Sequence, residues 1–226
     1  MSEPASAVDV AELNDRLARE HPINDYYARS PLPIRLIEQK RLSIIREMLG
    51  DCDGRDLAEV GSGGGHVLRM FPRARITAID VSDVFLDTAR KNLAGYDARF
   101  VKGEIDKLDL PSASFDRIIC TEVLEHTKDP DAILAAIARL LRPSGVAAIT
   151  VPNDPLIDGL KAFVRKTPVG WALGNRIEWG GDVYHLHKWT PKEFQRLVEK
   201  HFRVTERRSA PHDALPIRAC FRCVQK

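Results

Sequence analysis

The chain has little cysteine, little net charge and no long apolar run. Its 226 residues include four cysteines, and the pair Cys220-x-x-Cys223 has no second pair with which to complete a zinc site. The net charge of +2 leaves no basic face, so nothing favours a nucleic-acid or membrane partner. No stretch is as long and apolar as a membrane span, and the first residues lack the order of a secretory signal. We therefore expect a cytoplasmic protein.

A glycine-rich loop at residues 61–65 is the most informative segment. An apolar run that contains Glu59 precedes glycines at 61, 63 and 65, and an apolar periodic pattern follows. This order predicts a strand, a tight turn and a helix, the place where a doubly wound α/β fold brings bare backbone against a nucleotide-like ligand. A dinucleotide fingerprint has Gly or Ala where this chain has His66. The loop therefore favours an adenosine-bearing ligand other than NAD.

Further strand patterns follow in an order typical of a parallel sheet. The second ends at Asp80, where a carboxylate can accept hydrogen bonds from both ribose hydroxyls, and Ser82 then caps a helix. Others cover residues 98–105, 114–120 and 146–151, and helical patterns alternate with them. Residues 202–208 and 217–224 predict a closing, antiparallel strand pair.

This succession, over about residues 35 to 224, resembles the class I S-adenosylmethionine-dependent methyltransferases. Within them it is similar to the small-molecule branch that includes the ubiquinone-pathway O-methyltransferases. The resemblance implies a Rossmann-like, doubly wound, mostly parallel seven-stranded sheet with an antiparallel last strand. It also implies S-adenosylmethionine as the methyl donor and an O or N atom of a small-molecule acceptor.

The resemblance further implies which residues bind the cofactor. Asp80 would hold the ribose, and Thr121 would lie near the sulfonium. Arg35 resembles an N-terminal arginine that reaches the cofactor carboxylate in the quinone-pathway relatives, although it is equally interpreted as a surface residue of a helix. The methionine part would be surrounded by Glu59, Gly61, Ser62, Gly63 and Gly65, and the adenine by Val81, Glu104 and Ile105.

Two histidines are candidates for the base. Methyl transfer from a sulfonium requires alignment of the acceptor and exclusion of water, and it requires a base only when the acceptor arrives protonated. His126 follows the fourth strand, with Glu125 or Glu122 as helper, and His185 lies in an aromatic-rich segment. Packing roles for both histidines stay open. Glu122, Glu125 and His126 also suit a divalent cation, and some quinone O-methyltransferases use such a cluster with magnesium, so a metal is left open.

The chain is predicted to be one domain in four parts. Residues 1–50 form a helical lid, 51–152 the cofactor-binding core, 153–189 an irregular insertion that specifies the substrate, and 190–226 the rest of the core. An NAD-dependent oxidoreductase and a non-catalytic S-adenosylmethionine-binding subunit remain alternatives. The Asn/Asp-Pro-Pro-aromatic motif of nucleobase methylation is absent after the fourth strand, which argues further against nucleic acid. The identity of the acceptor and the oligomeric state are not predicted.

Overall fold

A computed structural model describes residues 30–167 and 185–226 of the chain. Seven strands and five α-helices alternate along these residues, with two short 3-10 helices at Leu68–Met70 and Leu124–His126. The strands are β1 Asp56–Val60, β2 Arg75–Asp80, β3 Ala98–Lys102, β4 Phe115–Thr121, β5 Leu141–Pro152, β6 Phe202–His212 and β7 Leu215–Gln225. The helices are α1 Leu32–Leu49, α2 Asp83–Asn92, α3 Pro130–Leu140, α4 Asp154–Arg165 and α5 Pro191–Val198.

The strands form one twisted sheet in the order β3-β2-β1-β4-β5-β7-β6. The pairs from β3 to β5 are parallel, and β7 is antiparallel to both β5 and β6, which confirms the predicted doubly wound sheet with its antiparallel last strand. The chain reverses its direction of winding between β1 and β4. Ligands of open α/β sheets bind at the carboxyl ends of the strands beside such a switch point.

Local capping signals explain where several helices begin. The Ser82 hydroxyl accepts a hydrogen bond from the Phe85 amide at 3.2 Å, and the Asp129 carboxylate accepts one from the Ala132 amide at 3.0 Å. Thr190 forms a reciprocal capping box with Glu193. The Ser82 cap confirms the prediction, and Asp129 and Thr190 are residue types that favour the start of a helix.

The helix predicted directly after the glycine loop is wrong. The segment forms a single 3-10 turn, Leu68–Met70, and then runs to β2. Phe71 precedes Pro72, which disfavours helical backbone at the residue before it, and Phe71 has φ −123° and ψ 64°. Its side chain is buried in the core together with Leu68. The short turn therefore packs into the core directly after the loop, and no long helix begins there.

The irregular structure predicted for residues 153–189 is wrong in its first third, which is α4. Asn153 caps this helix by accepting a hydrogen bond from the Leu156 amide, and Pro155 lies in the first turn. Gly159 interrupts the apolar pattern of this segment, so the spacing of its apolar residues does not indicate a helix. Three aromatic residues of this insertion could line an acceptor site or form a small core of their own, but they lie outside the described residues: Trp171, Trp179 and Tyr184.

The second half of α1 belongs to the core. Ile44, Ile45, Met48 and Leu49 are buried, and the helix packs against β5, β6 and β7. Its first turn is exposed, and the part of the predicted helical lid before residue 30 lies outside the described residues. A lid role for residues 1–50 thus stays a prediction for the part before this buried half. Within residues 30–167 and 185–226, we find no helix with the length and apolar character of a membrane span.

Candidate active site

The carboxyl ends of three neighbouring strands bring polar side chains to one edge of the sheet. Val60 of β1 pairs with Ile79 of β2 and with Cys120 of β4, so Asp80 and Thr121 flank the start of the glycine loop. Asp80 is 7% exposed and Thr121 is 9% exposed, although both are polar. Such burial at a switch point is typical of side chains that bind a ligand.

The glycine loop adopts backbone that favours glycine. The φ angles of Gly61, Gly63 and Gly65 are +66°, +49° and +73°. A Cβ on Gly61 would lie 2.3 Å from a methyl group of Val123, so the turn after β4 packs directly on the loop. The Gly63 amide donates to one oxygen of the Asp80 carboxylate at 2.8 Å. The loop is therefore fixed from both neighbouring strands.

Asp80 fixes two turns at once. Its second carboxylate oxygen accepts a hydrogen bond from the Ser82 amide at 2.9 Å, and its backbone carbonyl accepts one from the Gly103 amide at 2.9 Å. Each carboxylate oxygen has more than one acceptor direction, so these contacts leave capacity for ribose hydroxyls. Asp80 is thus placed both to organise the glycine loop and to bind a sugar.

Glu59 and Ser62 place unpaired oxygen atoms in the interior. Glu59 is 1% exposed, and burial raises the pKa of its carboxyl well above the ordinary value, while the charge of Arg41 acts in the opposite direction. Among the described residues, Glu59 Oε2 and Ser62 Oγ have no hydrogen-bond partner. A buried acceptor without a partner is costly. The ammonium group of the predicted donor's methionine part fits this need.

Helix α1 carries one exposed and one buried arginine, and the predicted contact of Arg35 with the cofactor carboxylate stays a prediction. Arg35 is exposed near the start of α1. Arg41, two turns further along, is 3% exposed, and its guanidinium donates to Glu38 Oε2 from Nε at 2.8 Å and pairs with it from Nη2 at 2.7 Å. Arg41 Nη1 also lies 3.5 Å from Thr150 Oγ1. The sequence indicates that Arg41 is buried, because it falls on the same apolar stripe of the helix as Ile37, Ile44, Ile45 and Met48.

The residues predicted for the adenine lie at the ends of β2 and β3. Val81 is half-buried, while Glu104 is exposed and forms an ion pair with Lys107 at 2.7 Å. Ile105 is 2% exposed and packs in the core, so it presents little side-chain surface to a ligand. Their adenine contacts stay a prediction.

A cluster of imidazoles and carboxylates lies beyond β4. The rings of His126 and His185 meet edge to face, with 4.8 Å between their centroids. His185 Nδ1 lies 2.9 Å from a carboxylate oxygen of Asp154, which is 1% exposed. Glu125 is also 1% exposed, and neither of its carboxylate oxygens has a hydrogen-bond partner among the described residues. Burial, together with the nearby Glu122 charge, raises the pKa of the Glu125 carboxyl well above its ordinary value.

Comparison with known proteins now identifies the domain. Residues 58–149, which run from β1 into β5, match the family model described as a methyltransferase domain. This chain contains a class I S-adenosylmethionine-dependent methyltransferase domain. The match covers the glycine loop, Asp80, Thr121 and His126, and it leaves His185 and the antiparallel strands outside.

Relatives of the methyltransferase domain are similar over part of their length. The ubiquinone biosynthesis O-methyltransferase of Alkalilimnicola ehrlichii is 33% identical over 126 residues, which are 54% of this chain and 51% of that protein. That of Xanthomonas oryzae pv. oryzae is 34% identical over 147 residues, 62% of this chain and 56% of that protein. The chain therefore spans little more than half the length of these relatives.

A solved structure has the same fold. It is the 1,6-didemethyltoxoflavin-N1-methyltransferase of Burkholderia thailandensis, with bound 1,6-didemethyltoxoflavin and S-adenosylhomocysteine. The TM-score is 0.61 at 18% identity, and the alignment covers 100% of this chain and 93% of that one. At this identity the likeness establishes the methyltransferase fold.

Glu122, considered with the cluster, and His187, which alternation along an extended segment would point the same way as His185, have other partners. Glu122, at φ +54°, pairs through Oε2 with Arg218 Nε at 2.9 Å and accepts a hydrogen bond from Thr150 Oγ1 at 3.1 Å. His187 has Nε2 3.0 Å from the Thr127 carbonyl, and its ring stacks on Trp189. Both residues therefore serve the packing of the turn.

Asp154 is the site residue that sequence reasoning missed. It occupies the first position of α4, directly after the capping residue Asn153 at the end of β5. Its contact with His185 joins positions 31 residues apart in the chain. The sequence offers one signal, an Asn-Asp-Pro helix start immediately after a buried strand.

Proposed function

We propose that this chain transfers a methyl group from S-adenosylmethionine to an oxygen, or a nitrogen, of a small-molecule acceptor. One observation carries the proposal: the loop of left-handed glycines and the His126–His185 pair lie at the same edge of one sheet, at the ends of β1 and β4. The methyltransferase domain supports the donor. The names of the O-methyltransferase relatives favour oxygen as the acceptor atom.

In this proposal the donor's methionine part lies along the glycine loop. Glu59 and Ser62 supply the unpaired buried oxygens that its ammonium group needs, and Arg41 takes the carboxylate role first considered for Arg35. Asp80 holds the ribose hydroxyls and Thr121 lies by the sulfonium. The donor supplies an electrophilic methyl group, and the protein aligns the acceptor and excludes water.

His185 is the proposed base, and His126 is the imidazole beside it. In this proposal the Asp154 carboxylate accepts a hydrogen bond from the Nδ1–H of His185. This contact fixes the ring and leaves Nε2 as the basic nitrogen. A phenolic or alcoholic acceptor at this point gives its proton to Nε2 as its oxygen attacks the methyl carbon. We call His185 and Asp154 the dyad. It lies near the carboxyl ends of β4 and β5, where an acceptor would face the sulfonium.

Calorimetric titration of the untagged chain tests the donor. We expect S-adenosylhomocysteine and S-adenosylmethionine to bind with dissociation constants of about 1–100 μM, and NAD to give no heat. Binding of NAD without the sulfur cofactors would refute the proposal. Bound sulfur cofactor without methyl transfer to any member of a panel of phenols and amines, followed with a labelled methyl group, would favour the non-catalytic alternative.

Replacement of the dyad should separate turnover from donor binding. In chelator-treated protein with a phenolic acceptor from the panel, His185→Ala should lower kcat about 100-fold and Asp154→Asn about 10-fold, because base and orientation are lost. His126→Ala should have a smaller effect. Affinity for S-adenosylhomocysteine should change less than twofold.

The matched control is His212→Ala, an exposed histidine in β6, which should leave both quantities unchanged. Full turnover by His185→Ala would place the base elsewhere. A parallel fall in donor affinity would instead mean that the substitution disturbs the whole site.

A further inference from the structure

Three potential metal ligands converge beside the glycine loop. Single ligand atoms of Glu125, His126 and His185 all lie within 4.8 Å of one another. Two of them come from the 3-10 helix after β4, and the third comes from the segment that precedes α5. The two segments are joined by backbone hydrogen bonds, because the Leu186 and His187 amides donate to the Glu125 carbonyl at 2.8 and 3.2 Å.

The magnesium cluster suggested by the resemblance does not form. It requires Glu122 beside Glu125 and His126, but the Glu122 carboxylate is bound to Arg218 and Thr150. The cluster that forms replaces this carboxylate with the imidazole of His185. Magnesium prefers oxygen ligands, whereas two imidazoles and one carboxylate suit zinc, cobalt and related ions.

We propose that Glu125, His126 and His185 bind one divalent transition-metal ion of the zinc type. Tetrahedral zinc with ligand bonds of about 2.0–2.1 Å has ligand atoms about 3.3 Å apart, so ligand atoms that lie up to 4.8 Å apart approach one another by at most about 1.5 Å when the ion binds. His126 has 41% of its side chain exposed, so the side of the cluster that it forms is open. The inference concerns metal binding and stands independently of the proposed methyl transfer.

The surroundings of the cluster are those of a metal ligand set. Asp154 is bound to Nδ1 of His185, which leaves Nε2 for an ion and reproduces the carboxylate–histidine–metal arrangement. Glu125 is 1% exposed, yet neither carboxylate oxygen has a hydrogen-bond partner among residues 30–167 and 185–226, and Oε1 lies 4.0 Å from His126 Nε2. A cation at the cluster supplies the missing partner. With the ion bound, the two imidazoles are ligands, so the base proposed above operates in the protein without metal.

Cobalt(II) titration of the untagged, chelator-treated full chain tests the site. Cobalt replaces zinc in mixed nitrogen and oxygen sites and is visible in the absorption spectrum. We expect one ion per chain, visible ligand-field bands and no thiolate charge-transfer band, because all four cysteines are buried and none belongs to the cluster. Zinc should displace cobalt, and magnesium should not.

Three variants assign the ligands. His185→Ala and Glu125→Gln should each weaken cobalt binding at least tenfold, while Glu122→Gln and His212→Ala should leave it within twofold. Glu125→Gln keeps the side-chain shape and removes the anion, and a thermal unfolding curve for each variant establishes that it is folded. Absence of the bands, a thiolate band, cobalt binding that survives His185→Ala, or magnesium binding that depends on Glu122 would each overturn the proposal.

Discussion

Replacing Arg41 with methionine is expected to lower the free energy of unfolding by about 2 kcal/mol or more, because the buried Glu38 carboxylate then keeps only its longer contact with Arg218 Nε, at 3.4 Å. Arg41 is 3% exposed and Glu38 5% exposed, and the guanidinium contacts the carboxylate through two nitrogen atoms. Its charge also lowers the pKa of the buried Glu59 carboxyl, against the larger effect of burial. Urea denaturation of the ligand-free protein measures the loss.

The same helix provides the control for Arg41→Met. Arg46 lies one turn later on the exposed face, so Arg46→Met should cost less than about 0.5 kcal/mol. In the Glu38→Gln background the Arg41→Met substitution should cost at least about 1 kcal/mol less, since the carboxylate that pairs with Arg41 is gone. Equal costs for Arg41→Met and Arg46→Met would contradict the buried pair.

Arg41 should also be needed for donor binding. In the proposed function it lies at the carboxylate of the methionine part, so Arg41→Met should bind S-adenosylhomocysteine more weakly than the wild-type chain under conditions in which both are folded. Arg35 gives the opposing test, because it is exposed and Arg35→Met should change affinity less than twofold. An effect at Arg35 with none at Arg41 would restore the first interpretation of the sequence.

Local signals predicted the sheet well. Short apolar runs that end in Asp80 or Thr121, and caps such as Ser82 and Thr190, act within a few residues, so they are visible in the sequence and agree with the structure. The predicted helix after the glycine loop failed because the pattern at Leu68 and Phe71 continues apolar while Pro72 stops the helix. At Leu68 and Phe71, the spacing of apolar residues therefore indicates that the side chains are buried, and it does not indicate a helix.

The site was predicted where its residues adjoin a motif and missed where distant segments meet. Glu59 directly precedes the glycine loop and Asp80 ends the next strand, so the sequence pattern placed both at this edge of the sheet. Asp154 meets His185 across 31 residues, and Arg218 of β7 pairs with Glu122, which follows β4. Whether a histidine faces an acid or a carbonyl depends on such long-range contacts. Spacing alone therefore gave His185 and His187 the same expected direction, while their partners differ.

Substitution of Asp80 by asparagine should strongly weaken the binding of the methyl donor. The carboxylate accepts hydrogen bonds from the Gly63 and Ser82 amides on different oxygens. An amide in its place presents an NH2 group to one of these donors, so the glycine loop loses an anchor and the ribose loses an acceptor. We expect affinity for S-adenosylhomocysteine to fall by about 2–3 kcal/mol, roughly 30- to 150-fold, in a calorimetric titration.

Asp83→Asn is the matched control for Asp80→Asn, because Asp83 lies three residues later and its exposed carboxylate pairs with Lys102 at 2.6 Å. That surface pair is worth less than about 1 kcal/mol, so donor affinity should stay within twofold. Asp80 keeps its backbone bond from Gly103 in the variant, so the ends of β2 and β3 should remain joined. A folded Asp80→Asn protein that binds S-adenosylhomocysteine within threefold of the wild-type chain would remove Asp80 from the cofactor site and leave it only the role of fixing the loop.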